Sequence, residues 1–217
     1  MKSIFAVAFV TITLSFCGIL NRLLNNASFI SQTNANQSNA NVNSVSGSGD
    51  KNIEFEKPEL TAQQKAFADA GKEIKWDEQG ITWRVPAGYR KMSQGRNLFN
   101  YMGADFTSLI VSISLMNADF PVDASIKAYY DSSITQIKNG EMERSRYLEI
   151  DGVRGVEFVE AKKENKDDPR RHQWIAFRKY AGQTQMLSIM LASKDAVFDK
   201  HRDEFAAILY SSQIINQ

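Results

Sequence analysis

Asp151-Gly152 lies between two runs of alternating residues, 144–150 and 153–162, and restricts the fold of this chain more tightly than any other dipeptide in it. Asp-Gly between such runs is the signature of a two-residue β-hairpin turn, whose central residues both need positive φ. A two-residue turn leaves a single register. Glu149 then faces Arg154, and Arg146 faces Glu157. Two opposite-charge cross-strand pairs in one register, each worth roughly 0.2–1 kcal/mol, support the assignment. Because side chains alternate between faces, a fixed register also fixes which residues can enter a core.

A second hairpin turns at Ala181-Gly182, joining strands over 171–180 and 183–192, with Leu187, Ile189 and Leu191 alternating inward. Upstream, strands are predicted over 74–77 and 81–85, with Pro86 ending the second, and over 97–102 and 107–116. In the last of these Leu109, Val111, Ile113 and Leu115 share one face. Ile110, Ser112, Ser114 and Met116 share the other, small enough for a helix to lie close, which predicts a strand covered on both sides. Helices are predicted over 61–72, over 123–139 and over 194–209. Thr61 caps the first, while Asp123 and Gly140 stand at the N-cap and αL positions of the second. Ile126, Tyr129, Tyr130, Ser133 and Ile137 stripe the second helix, and the third turns Phe198, His201, Phe205, Ile208 and Leu209 inward. The segment 163–170, highly charged and containing Pro169, reads as a solvated tip.

Before residue 53 the chain changes character. Lys2 precedes an apolar run from Ile4 to Leu20 followed by Asn21 and Arg22, so residues 1–24 read as a signal peptide or membrane anchor. The lone cysteine, Cys17, closes Leu14-Ser15-Phe16-Cys17-Gly18, which resembles a lipoprotein box except that Phe16 stands where a small residue normally precedes the modified cysteine. Lipidated, uncleaved and cleaved forms all stay open. With one cysteine there is no fold disulfide. Residues 25–52 form a low-complexity linker; seven Asn and six Ser fall within 25–50, too little apolar surface to offset ordering entropy. As a random coil it would hold a domain on the order of 25–30 Å from its anchor.

Residues 53–217 then make one domain. The whole chain has 217 residues and a net charge of +1. Residues 1–52 hold Lys2, Arg22 and Lys51 against Asp50, so the domain keeps 23 basic and 24 acidic residues. Such a balance offers no electrostatic case for nucleic acid. The membrane is expected as a partner only through the N-terminal anchor.

The order of elements, and three segments within it, carry a resemblance. Gly80-Ile-Thr-Trp-Arg-Val-Pro86-Ala-Gly-Tyr89 resembles the entry strand and P-x-G-[WY] turn of PsbP-like domains. Glu149-Ile-Asp-Gly-Val-Arg-Gly155 is similar to that family's mid-domain hairpin. Lys194-Asp-Ala-Val-Phe198, with Phe205-Ala-Ala-Ile-Leu209-Tyr-Ser-Ser212 and the following Gln-Ile, is similar to its closing helix and last short segment. The family is that of the extrinsic photosystem II subunit, related in fold to the periplasmic lipoprotein DcrB and to a Ran-binding transport factor. The resemblance spans about residues 73–217. It implies an α+β fold, an α/β/α sandwich with a central antiparallel sheet of about six to eight strands flanked by helices. It implies no catalytic residue and no cofactor, since the fold serves mainly to bind partners.

The residues themselves add little chemistry. His172 and His201 have no metal-ligand spacing, and Cys17 lies in the anchor, so no metal site is expected. No Gly-x-Ser-x-Gly, Walker A or dinucleotide fingerprint occurs in the domain. Glu164, Asp167 and Asp168 lack calcium-loop spacing, and Glu141 and Glu143 read as solvated. Arg170, Arg171, His172 and Trp174, at a strand start beside the charged tip, are the candidate binding residues. The expectation is an extracytoplasmic, membrane-tethered, non-enzymatic accessory protein with an envelope protein as partner. A carrier of a small ligand or lipid, using an apolar pocket between sheet and helix, and an enzyme of unrecognised class are the alternatives.

Overall fold

Both hairpin turns form with the backbone their sequences demand: φ is +49° and +77° at Asp151 and Gly152, and +50° and +75° at Ala181 and Gly182. The computed structural model describes residues 53–216, so the expectations for residues 1–52 lie outside it. Strands β6 (Met142–Ile150) and β7 (Val153–Glu160) pair as expected, with Arg146 opposite Glu157 and Glu149 opposite Arg154. Strands β8 (Pro169–Tyr180) and β9 (Gln183–Lys194) pair along their full lengths. Pro169 sits at the first position of its strand, where the missing N–H costs no ladder bond.

These four strands belong to a larger sheet. β3 (Arg90–Gln94), β4 (Leu98–Met102) and β5 (Ser108–Met116) extend it to seven antiparallel strands in the order β3-β4-β5-β9-β8-β7-β6. β3 escapes the periodicity reading because all five of its residues are exposed and no apolar alternation marks an unburied edge strand. β1 (Lys72–Trp76) and β2 (Ile81–Val85) form a separate three-stranded sheet with β10 (Gln213–Ile214), in the order β1-β2-β10.

One face of the large sheet packs against the small sheet and two helical segments, α3 (Asp195–Phe198) and α4 (Arg202–Tyr210). Trp76, Trp83, Phe99, Leu109, Val111, Trp174, Ile189 and Phe205 are fully buried there. Helix α1 (Ala62–Ala70), closed at its start by a capping box of Thr61 and Gln64, lies on α4. The opposite face carries α2 (Val122–Lys138), whose Ile126 and Ser133 are buried and whose Tyr129 and Tyr130 lie half-buried against the sheet. The result is the expected α+β sandwich, with the second sheet sharing a layer with the C-terminal helices.

Four local expectations change. Pro121, not Asp123, precedes α2; Asp123 lies in the first turn, where its charge complements the helix dipole. The predicted 194–209 helix breaks into α3, a 3-10 turn at Asp199–His201, and α4. The tip 163–170 docks on α3 through Asp195 N–H to the Asp168 carbonyl (2.9 Å) and Ala196 N–H to the Lys166 carbonyl (3.0 Å). Finally, α2 packs on β6 and β7 rather than on β5, and Leu115, near the end of β5, is 53% exposed.

The first described residues are part of the sandwich. Glu56 bridges Leu148 in parallel on the β6 edge, donating its N–H to the Tyr147 carbonyl (3.1 Å) and accepting from Glu149 (2.9 Å). Phe55 packs edge-on against Tyr147 at 5.4 Å. The β6 edge is thereby paired at Leu148.

Candidate functional site

β8 carries all four residues singled out by the sequence, and its alternation separates them. Arg170, His172 and Trp174 point to the face shared with the small sheet and α4, whereas Arg171 points to the α2 side.

Arg170 is fully buried. Its Nε donates to the Glu160 carbonyl (2.8 Å), one terminal nitrogen to Asp199 (3.0 Å) and the other to Glu143 (2.5 Å). The guanidinium lies 4.5 Å from the centre of the Phe198 ring, and Arg202 approaches the same ring at 5.5 Å. Arg202 also grips Glu143 (2.8 and 2.6 Å) and Asp199 (2.7 Å). This pairing lowers the Glu143 carboxyl, chiefly through its hydrogen bond from Arg202, and takes Asp199 down to about 2 for the same reason. Glu143, exposed as expected, is also one jaw of this clamp. Arg171 is held by Glu160 through both its backbone N–H (3.0 Å) and its Nε (2.7 Å).

His172 joins a second cluster. Its Nε2 lies 2.7 Å from Oε1 of Glu157, a fully buried carboxylate. The Tyr210 hydroxyl donates to the same oxygen, and Arg146 Nε donates to Oε2 at 2.6 Å. Arg146 reaches on to Glu56 (2.7 Å) and Tyr210 (2.9 Å), and Arg144 stands 3.4 Å from Oε2. Burial by itself would raise the Glu157 carboxyl. The hydrogen bond and charge of His172, the charge of Arg144 and the Tyr210 hydroxyl outweigh it, so the group is held well below the usual carboxylate range. Burial and the neighbouring Glu157 push the Tyr210 phenol upward. Trp174, fully buried, donates its indole N–H to the Leu148 carbonyl at 3.2 Å. The four residues are therefore brought to one end of β8, with their polar groups engaged by internal partners. Sequence reading paired Glu157 with Arg146 but named neither Glu157 nor Tyr210 among the candidate site residues. The available signal was a carboxylate at the inward position shared with Val153 and Val159.

A different surface is presented by the part of the sheet beyond α2. Three cross-strand rows run over β4, β5 and β9, the last two continuing onto β8: Leu98-Ser112-Ser188, Asn100-Ile110-Met190-Gln173, and Met102-Ser108-Ala192-Arg171. Leu98 is exposed, and Asn100, Met102, Ile110, Ser112, Ser188 and Gln173 are half-buried. Gln173 and Ser188 are joined by a 2.8 Å hydrogen bond. Apolar side chains and small hydroxyl or amide groups thus alternate across the sheet, able to supply both apolar area and directed hydrogen bonds to a partner. Among the described residues no cluster of three or more His, Cys, Asp or Glu is placed to hold a metal ion, and no helix is long and apolar enough to cross a membrane.

No family model matches the chain. No curated protein matches it either. Solved structures do. The chain is similar to the cyanobacterial PsbP protein, CyanoP, from Synechocystis sp. PCC 6803, at 14% identity and a TM-score of 0.43, covering 67% of this chain and 94% of that one. LpqN of Mycobacterium tuberculosis, described as involved in cell envelope biogenesis, is similar at 13% identity and a TM-score of 0.48, over 66% of this chain and 84% of its own. The Ran-binding protein Mog1p of Saccharomyces cerevisiae is similar at 14% identity and a TM-score of 0.36, over 67% and 96%. The PsbP-like likeness expected from the sequence is present among them. The functional reading rests on the geometry of this chain.

Proposed function

We propose that this protein is a non-enzymatic binding module of the cell envelope, exported and held at a membrane by its N-terminal segment, with an envelope protein as partner. The observation that carries the reading is the half-exposed sheet face around Asn100, Ile110 and Gln173. It lies on the large sheet, mixes apolar and hydrogen-bonding groups, and adjoins α2 without being filled by it. The support from the ionisable groups runs the same way. Arg170, Arg171, His172 and Glu157 satisfy one another or their neighbours inside the fold, so their charge serves the scaffold and leaves recognition to shape and local contacts. Between sheet and α2, Phe120 stacks on Phe177 at 5.4 Å and Tyr130 on Tyr147 at 4.1 Å, filling the space that a carrier's apolar pocket would need.

The apolar run ending at Cys17 and the Asn/Ser-rich linker give the module a tether, which raises its effective concentration near a membrane partner. One experiment addresses both parts. The full chain, Cys17→Ser and Ile110→Asp are each expressed, fractionated and used for affinity capture after crosslinking. The reading expects Cys17→Ser to leave the membrane fraction if the thiol is lipidated, and Ile110→Asp to stay there while losing its crosslinked envelope partner. Capture undiminished in Ile110→Asp would refute the face; a full chain found wholly outside the membrane fraction would refute the tether.

A further inference from the structure

A polar cleft of about 730 Å³ opens where the small sheet meets the free edge of the large one. The 3-10 turn Asp77–Gln79 contributes Glu78 and Gln79, β3 contributes Lys91 and Gln94, and the turn after it contributes Gly95 and Arg96. The turn is pinned in place: the Gly95 N–H donates to the Leu98 carbonyl (2.8 Å), and the Gln79 side-chain amide donates to the Arg96 carbonyl (2.8 Å). Lys91 and Arg96 form no ion pair with any described residue.

Behind Gln79 sits a second, independent feature. Arg178 is 3% exposed and has no carboxylate within pairing distance among the described residues. Its guanidinium is held by neutral oxygens alone: Gln185 Oε1 at 3.0 Å, the Ile215 carbonyl at 3.1 Å, and the carbonyl and Oε1 of Gln79 at 2.8 and 3.3 Å. Its central carbon lies 4.5 Å from the Tyr180 ring centre. Buried charges in proteins are normally paired, because desolvation is costly. Here burial lowers the group to about 10. Elsewhere in this fold a buried arginine, Arg170, takes three carboxylates. Arg178, which no carboxylate of the described residues pairs, is separated from the cleft by Gln79, which borders both.

We infer that this cleft binds a small hydroxylated oxyanion, such as a sugar phosphate or sugar acid, with Lys91 and Arg96 holding the anionic group. The positive charge of Arg178 adds to the attraction through the intervening Gln79. Glu78 on the rim disfavours a dense polyanion. With the amide of Gln94 it suits hydroxyl groups, which donate to the carboxylate and bond the amide in either sense. A site of this make-up is distinct from the half-exposed sheet face and does not depend on it.

The test is titration of the full chain in detergent, at constant ionic strength, with glucose 6-phosphate, glucuronate and glucose. Binding is read by calorimetry and by NMR shifts of the Gly95 amide and the Gln94 side chain. The expected result is saturable binding of at least one charged sugar, with those shifts, and weaker binding of glucose. Removing two charge-assisted contacts with Lys91→Gln/Arg96→Gln should weaken it by at least about tenfold. Both substituted side chains are exposed, so folding is preserved and is checked by circular dichroism. Which charged sugar saturates distinguishes phosphate from carboxylate as the anionic group. Absence of saturation by either, equal affinity for glucose, or undiminished binding by the double variant would overturn the inference.

Discussion

At the scale of single residues, the fold buries the charges of Glu157 and Arg170 and neutralises them locally. Glu157 is the clearest instance. Removing its charge leaves Arg146 and His172 facing a neutral group in a buried site, and breaking a buried pair in this way costs about 3–5 kcal/mol. For a domain of this size, Glu157→Gln should lower the melting temperature by on the order of 10 °C near neutral pH. The pH dependence has a definite sign. The Glu157 carboxyl is depressed in the folded state below its unfolded value of about 4.3. Its stabilisation is therefore complete above that value and is lost as pH falls toward the folded one. The wild type should lose stability on acidification below about pH 4; the variant should show a shallower acid limb. Thermal melts at several pH values read both, and parallel pH profiles for the two proteins would contradict the assignment. Sequence reading paired Glu157 with Arg146 but left its burial unseen. Tyr210 and His172 approach it from elements 53 and 15 residues away, by a tertiary geometry that local pattern does not contain.

Among elements, the hairpins were the most legible part of the chain. A turn that requires positive φ and a strand that alternates are both local properties, and Asp151-Gly152 together with its cross-strand charges specified a register that the structure reproduces residue for residue near the turn. Asp151 has a further task the sequence does not display: its carboxylate accepts the Ile214 N–H at 2.6 Å and so holds β10 in place. The less favourable turn is the other one. Ala181 occupies the left-handed region at φ +50°, which costs an L-residue with a Cβ roughly 1 kcal/mol and which Asn tolerates far better. Ala181 is exposed, so Ala181→Asn should stabilise the domain by about 0.5–1 kcal/mol, raising the melting temperature by roughly 1–4 °C. An unchanged or lowered melting temperature would show that the turn carries no such strain. What the pattern did not reveal were elements whose residues are not half-buried. β3 has no buried side, and the break between α3 and α4 comes where Asp199 turns to serve Arg170 and Arg202 rather than where a helix-breaking residue stands.

For the whole molecule, the architecture divides labour between its surfaces. The face against the small sheet and α4 is closed by large aromatic and aliphatic side chains. The far half of the other face is covered by α2, and the near half remains half-exposed over β4 and β5. The sequence placed Ile110, Ser112 and Ser114 correctly on one side of their strand. It assigned them a helix for cover because alternation reports which residues share a face but not which element lies over it. The same limit explains the candidate residues on β8. Arg170, Arg171 and His172 stood out as a basic cluster, yet Glu143, Glu157, Glu160 and Asp199, which engage them, come from β6, β7 and the turn before α4. Placing the partner on the open sheet rather than on that cluster is the central claim of the account. Site-specific photocrosslinking in intact cells tests it most directly, with a photoreactive residue introduced in turn at Asn100 on the open sheet and at Asp131 on the outer surface of α2. The account predicts a discrete crosslinked envelope protein from position 100 and none from position 131; crosslinks from position 131 alone, or equal products from both, would contradict it.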